Sequence, residues 1–168
     1  ALFVIWPLLR GLYLSFTDAN ISGDSARFVG LDNYREALKD PLMWDALGHS
    51  AYFTLLVVPC ITVLAFLLAM LAHHIERGKW LWRLCFFLPF LLPSTVAANL
   101  WQWLFNPGTG MVNHVFGLET PWLTDKSYAM LAVVITTLWW TVGFSFLVYL
   151  AALQGIPAHL YEAAKMDR

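Results

Sequence analysis

The sequence lacks charge over most of its length. No Asp, Glu, Lys or Arg occurs in residues 46–75, 84–118 or 127–161, and charged residues make up 12% of the 168-residue chain. Soluble domains carry about 25% charged residues. Each uncharged block exceeds the ~20 residues needed to cross a ~30 Å hydrocarbon core, and a domain this small cannot bury all three. The composition therefore predicts an all-α membrane protein, a bundle of transmembrane helices.

The sequence also lacks the motifs of common enzymes and metal sites. It has no glycine-rich phosphate loop ending in Lys and Ser or Thr, no HExxH pair and no nucleophile elbow. Cys60 and Cys85 fall inside apolar blocks, where cysteine serves as a small apolar filler, and His73-His74 has no companion ligand at metal-site spacing. We expect no catalytic residue, metal or cofactor. The net charge of −1 argues against nucleic acid as a partner.

The apolar residues that are present predict about four spans in a single transmembrane domain, 1–168. The predicted spans are 1–16, 51–72, 84–105 and 128–153. The first begins in the middle of a hydrophobic stretch without a Met or a basic leader, and the other end also stops abruptly. The chain is therefore expected to be a fragment truncated at both ends.

The short loops predict the orientation of the spans, because Lys and Arg favour the cytoplasmic side. Residues 73–83 contain Arg77, Lys79 and Arg83, whereas 106–127 contain one cation, Lys126. Alternation then places the connecting segments: 73–83 and 154–168 in the cytoplasm, 17–50 and 106–127 outside.

The outer segment 17–50 is expected to contain short helices. Asp32 is placed to cap a helix that continues through Leu38, and Asp40-Pro41 has the pattern of an N-cap followed by proline at the first helical position. We expect a second short helix to begin there, to lie on the outer membrane surface and to lead into the second span.

Polar residues on one face of the third span are candidates for a solute pathway. Thr95, Asn99 and Gln102 are spaced by four and three residues, so they share a helical face. Polar groups inside a membrane are costly and usually face the bundle interior or a water-filled path. Pro89 and Pro93 are expected to kink this helix and to free backbone carbonyls.

The fourth span carries a second stripe, formed by Thr137, Trp140, Thr141 and Phe144. Such a stripe suits a sugar or polyol, whose hydroxyls form hydrogen bonds and whose C–H faces stack on indole. The alternative is that the threonines bond their own backbone or help helices to pack. No predicted span contains Asp, Glu or Lys, which argues against a proton relay and for energy supplied from elsewhere.

The C-terminal segment after Gln154 predicts a helix that turns back at the membrane surface. Gly155 is a stop signal and Pro157 a start signal. A short polar helix at this position suits docking to a soluble partner.

The order of several weak motifs resembles the permease subunits of binding-protein-dependent ABC importers, of the sugar and glycerol-phosphate type. The resemblance covers nearly the whole chain. The motifs are Phe28-Val-Gly-Leu-Asp-Asn-Tyr34, Ala46 to Thr54, Arg83 to Pro89, Trp101, Leu104-Phe105, Gly110, Asn113, Trp139-Trp140, Gly143-Phe144, Leu150 to Gln154, Ile156-Pro157 and Leu160 to Ala164.

The resemblance implies a translocation subunit of an ATP-driven importer in the bacterial inner membrane. Its implied partners are a cytoplasmic ATPase that hydrolyses the ATP, a second permease subunit that is the same or a paralogue, and a periplasmic or lipid-anchored solute-binding protein. The segment 154–168 would begin the cytoplasmic coupling loop. The residues implied to contact the ATPase are Glu162, Ala163, Ala164 and Asp167.

Two departures and two alternatives accompany the resemblance. His49-Ser50 stands where the family usually has Asn-Thr, and Arg168 stands where it usually has Gly. The same architecture could import an amino acid or peptide instead of a sugar or sugar phosphate. A non-transporting membrane scaffold that uses its C-terminal helix to hold a partner is the alternative from another class.

Overall fold

The computed structural model describes residues 2–19, 27–75, 78–157, 159 and 166. The coupling residues Glu162, Ala163, Ala164 and Asp167 lie outside the described residues. Within them the chain is helical, as predicted, with an isolated β-bridge between Thr17 and Phe28. The elements are α1 (Leu2–Leu14), α2 (Asp32–Lys39), α3 (Pro41–His74), α4 (Lys79–Phe87), a 3₁₀ turn (Leu88–Leu91), α5 (Ser94–Leu104), α6 (Met111–Phe116) and α7 (Lys126–Gln154).

The chain forms two compact units, residues 1–51 and 52–168. Among the described residues two helices, α3 and α7, are long and apolar enough to cross a membrane, and the bent pair of α4 and α5 makes up to three. The helix α1 is apolar but shorter. These helices agree with three of the four predicted spans and leave the first as a short apolar helix.

In the first unit, the residues that follow α1 pair with those that precede α2. The amide of Asp18 donates to the carbonyl of Arg27 at 2.8 Å, and the amide of Val29 donates to Phe16 at 2.9 Å. The helix α2 begins at Asp32, but Leu31 is its N-cap and no side chain caps it. The prediction that Asp32 caps this helix is therefore wrong, because Asp32 lies one position inside the helix.

The helix α3 runs without interruption from Pro41 to His74. The amide of Leu42 donates to Oδ1 of Asp40 at 2.9 Å, so Asp40 caps the helix as predicted. The separate short helix that we expected at Pro41 does not exist, because nothing between Pro41 and the apolar block ends the helix. Gly48 is accommodated inside it.

The third predicted span is broken. The pair formed by α4 with its 3₁₀ turn and by α5 is bent by 95° at Leu92-Pro93. Proline has no amide hydrogen and its ring obstructs the preceding turn, which is the physical cause of the expected kink. The helix α5 then restarts at Ser94, and the amides of Val96 and Ala97 donate to the Pro93 carbonyl.

The core of the second unit lies between α3 and α7. Ala65, Ala69 and Ala72 present a buried row of small side chains on α3. The buried residues of α7 that pack with them are Val142, Phe146 and Leu150. Small residues allow helices in a membrane to approach closely, so this row positions α7 against α3. At its other end α7 is capped by Asp125, which accepts a 2.7 Å hydrogen bond from the amide of Ser127.

Candidate functional site

A groove of about 350 Å³ runs between α5 and α7. Its wall combines aromatic and aliphatic side chains with a few polar groups. The lining residues are Ala98, Trp101, Gln102, Phe105, Leu123, Ala132, Val133, Thr136 and Thr137. Gln102 and Thr137, which were predicted on separate spans, therefore meet in one groove.

The threonine hydroxyls of α7 already donate to their own helix. Thr136 donates to the Ala132 carbonyl at 2.9 Å, Thr137 to Val133 at 2.8 Å and Thr141 to Thr137 at 2.6 Å. These bonds are those expected of threonines that serve packing. They leave each hydroxyl oxygen able to accept a hydrogen bond, so Thr137 can act as an acceptor in the groove. The side-chain amide of Gln102 can act there as both donor and acceptor.

Trp140 is bound to the break in the third span. Its indole Nε1 donates to the carbonyl of Leu92 at 3.2 Å, 48 residues earlier in the chain. That carbonyl immediately precedes Pro93, where the helical hydrogen bonds stop. Trp140 thus stabilises the bend, a role that the stripe pattern did not indicate.

The remaining predicted pathway residues lie apart from the groove. Thr95 and Asn99 are exposed on α5, and Thr141 is not among the groove residues. Phe144 is exposed and stacks on Phe90 with ring centroids 5.2 Å apart. The structure therefore brings together Gln102 and Thr137, and it does not bring Thr95, Asn99, Trp140, Thr141 or Phe144 into the same groove.

Gly143 determines how closely α4 approaches α7. A Cβ atom at this position would overlap the carbonyl oxygen of Phe86 and lie 2.9 Å from the Cα of Phe87. Only glycine fits where two backbones come this close. In the sequence Gly143 is part of a motif whose pattern does not explain why glycine is needed there. This backbone contact explains it.

Asn113 organises the segment that joins α5 to α7. It is 4% exposed, and its Oδ1 accepts a 2.7 Å hydrogen bond from Nε1 of Trp122. Its Nδ2 donates to the carbonyls of Thr120 at 2.9 Å and Pro107 at 3.4 Å. Trp122 in turn packs with Phe105, which is one of the residues that line the groove. A buried amide with all these partners specifies one loop conformation.

The motif from Phe28 to Tyr34 also has a structural role. Nδ2 of Asn33 lies 2.9 Å from the Ser15 carbonyl and 3.0 Å from that of Thr17. The hydroxyls of Tyr34 and Ser15 are 2.6 Å apart. Gly30 has a φ of 62°, in the left-handed region that favours glycine. These contacts tie the start of α2 to the end of α1.

The family described as binding-protein-dependent transport system inner membrane component matches residues 44–168. The chain belongs to this family.

Curated relatives of the family resemble the chain over 99% of its residues. A probable ABC transporter permease of Pyrococcus horikoshii is 34% identical. The sn-glycerol-3-phosphate permease UgpA of Pectobacterium atrosepticum is 35% identical, and the sulfoquinovosyl glycerol permease SmoG of Agrobacterium fabrum is 34% identical. The chain spans 59%, 57% and 56% of the lengths of these three relatives.

Solved structures show the same fold. A bacterial ABC transporter involved in the import of the acidic polysaccharide alginate matches with a TM-score of 0.82 and 22% identity, covering 99% of this chain and 57% of that one. The same transporter in complex with an alginate pentasaccharide-bound periplasmic protein matches with a TM-score of 0.81. The predicted membrane fold is therefore confirmed.

Proposed function

We propose that the chain forms part of the solute pathway of an ATP-driven importer in the bacterial inner membrane. The observation that carries this proposal is the family match over residues 44–168. The solute is a sugar or a sugar-phosphate-like molecule, as the names of UgpA and SmoG suggest. Energy comes from a separate ATPase, and a second permease subunit completes the pathway.

The orientation and partners follow from the same proposal. Residues 73–83 and 154–168 face the cytoplasm, and 17–50 and 106–127 face outward, in agreement with the distribution of Lys and Arg. A solute-binding protein delivers the solute from outside. The periplasmic protein in the alginate transporter complex supports this arrangement.

Glu162 tests the coupling to the ATPase. The full-length permease, its ATPase and its binding protein are reconstituted in proteoliposomes, and uptake of labelled sn-glycerol 3-phosphate, sugars and amino acids is measured. We expect Glu162→Ala to weaken ATPase binding about tenfold or more and to reduce uptake in parallel, because truncating one partner of a charged contact is costly. Glu36→Ala, on the exposed helix α2, is the matched control.

Three outcomes contradict this proposal. Normal uptake by the Glu162→Ala complex despite a lost ATPase contact excludes the importer mechanism. Uptake of amino acids alone excludes the sugar class, and absence of any uptake with an intact complex supports a scaffold.

The groove residues test the pathway. We expect Gln102→Leu and Thr137→Val each to raise the KM of uptake about three- to tenfold, the cost of one hydrogen bond. Thr62→Val, at an exposed position of α3 outside the groove, is expected to leave the KM unchanged. Unchanged KM values in both groove variants place the pathway elsewhere. The assignment of Thr95, Asn99, Trp140 and Thr141 to the pathway stays a proposal for the assembled transporter.

A further inference from the structure

Arg83, in the second turn of α4, carries a charge that the described residues do not pair. Its side chain is half-buried, and its Nε is buried without a hydrogen-bond partner. A guanidinium has five N–H donors and no acceptor, and leaving a buried donor unsatisfied costs free energy. Because Nε is closed to solvent, an acceptor from outside these residues is expected at the two terminal nitrogens of Arg83.

The charge around Arg83 selects an anion. Arg77, Lys79 and Arg83 fall within seven residues, and Glu76 is the one acid between 73 and 83. The first turn of α4 contains no acidic residue. The segment therefore has an excess of positive charge where a helix begins, which attracts anionic groups.

The side chains beside Arg83 are those of a membrane–water boundary. Trp80 is 70% exposed and Trp82 46% exposed, and Trp82 stacks on Phe86 with ring centroids 6.0 Å apart. Leu81 and Leu84 are exposed as well. Exposed Trp beside exposed Leu is typical of the headgroup level of a bilayer, where long basic side chains reach phosphates.

We propose that Arg83, with Trp80, binds the headgroup phosphate of an anionic phospholipid. The guanidinium donates to the phosphate oxygens, and the indole of Trp80 lies against the glycerol and upper acyl region of the lipid. Anionic lipids attract Lys and Arg close to the membrane surface more strongly than zwitterionic lipids do. This inference rests on the membrane placement of α4 and is independent of which solute is imported.

The test uses the full-length permease complex purified in detergent. Short-chain dioctanoyl phosphatidylglycerol is titrated and its binding is followed by native mass spectrometry, with dioctanoyl phosphatidylcholine and inorganic phosphate as comparison ligands. We expect phosphatidylglycerol to bind at least threefold more tightly than phosphatidylcholine. Arg83→Gln abolishes that preference, and Arg83→Lys keeps part of it. Arg35→Gln, which removes an exposed arginine on α2, is the matched control and keeps the preference.

Several results overturn the proposal. One is equal binding of the two lipids to the native complex, which requires no variant and so does not depend on whether Arg83→Gln folds. Another is unchanged phosphatidylglycerol binding by Arg83→Gln. Competition by inorganic phosphate at the same concentration identifies a free-phosphate site instead, and loss of the ATPase from Arg83→Gln with lipid binding intact identifies a protein partner.

Discussion

Single residues determine how closely the helices of the second unit approach. The alanine row of α3 is narrow enough for Phe146 and Leu150 to pack against it, and Gly143 allows contact between backbones. The first contact buries apolar surface, whereas the second leaves no room even for a methyl group. Gly143 is therefore expected to be the position in α7 least tolerant of added volume.

We expect Gly143→Ala to destabilise the permease by about 1–3 kcal/mol, since the new Cβ forces α4 away from α7. Gly48→Ala is the matched control, because no heavy atom lies within 4 Å of its added Cβ. In a helix interior that substitution is neutral or stabilises by up to about 1 kcal/mol. Thermal unfolding of both variants in the same detergent measures the difference, and equal midpoints contradict the close approach.

At the scale of the element, the sequence predicts the helices well because apolar length determines where a membrane span forms. It predicts α7 to within about two residues at its start, a usual boundary error. It did not predict that α3 already begins at Pro41, because an exposed helical extension has the same local composition as a separate surface helix. Nor could it give the angle at Pro93 or the hydrogen bond at that break, which joins Trp140 to Leu92 across 48 residues.

The bend can be measured between Cys85 on α4 and a cysteine introduced at Trp103 on α5, in a Cys60→Ser background. Eighteen residues of straight helix span about 27 Å, and a right-angled bend near residue 92 shortens this distance to about 20 Å. Spin labels on the full-length permease are expected to report the shorter distance, in keeping with the 95° bend.

The control pair for this measurement lies on an unbroken helix. Cysteines at the exposed positions Val133 and Val148 of α7 are expected to be about 22 Å apart. A measured separation near 27 Å for the α4–α5 pair, with the control as expected, means that the third span is straight.

At the scale of the whole molecule, the sequence predicts the membrane class and the family but locates the site only in part. Gln102 and Thr137 meet because α5 and α7 pack beside each other, which no periodicity within one helix reveals. Asn113 and Asn33 were recognisable as parts of motifs, yet their roles depend on partners brought close by the fold.

The spans predict the source of energy for transport. With no Asp, Glu or Lys in the uncharged blocks, these helices offer no carboxylate or ammonium group for a proton relay. We expect reconstituted uptake to continue when a protonophore collapses the proton gradient and to stop when ATP is omitted. Uptake that follows the proton gradient without ATP contradicts this expectation.

The length of α3 has a consequence for the membrane around the transporter. Its 34 residues span about 51 Å, and even a tilt of 40° leaves about 39 Å along the bilayer normal, against a ~30 Å core. Because Asp45 is charged, we expect the first turns of α3 to lie among the headgroups. A thicker hydrocarbon core covers these turns, and a thinner one leaves them exposed to water. Hydrophobic mismatch with the surrounding lipid therefore acts directly on this helix.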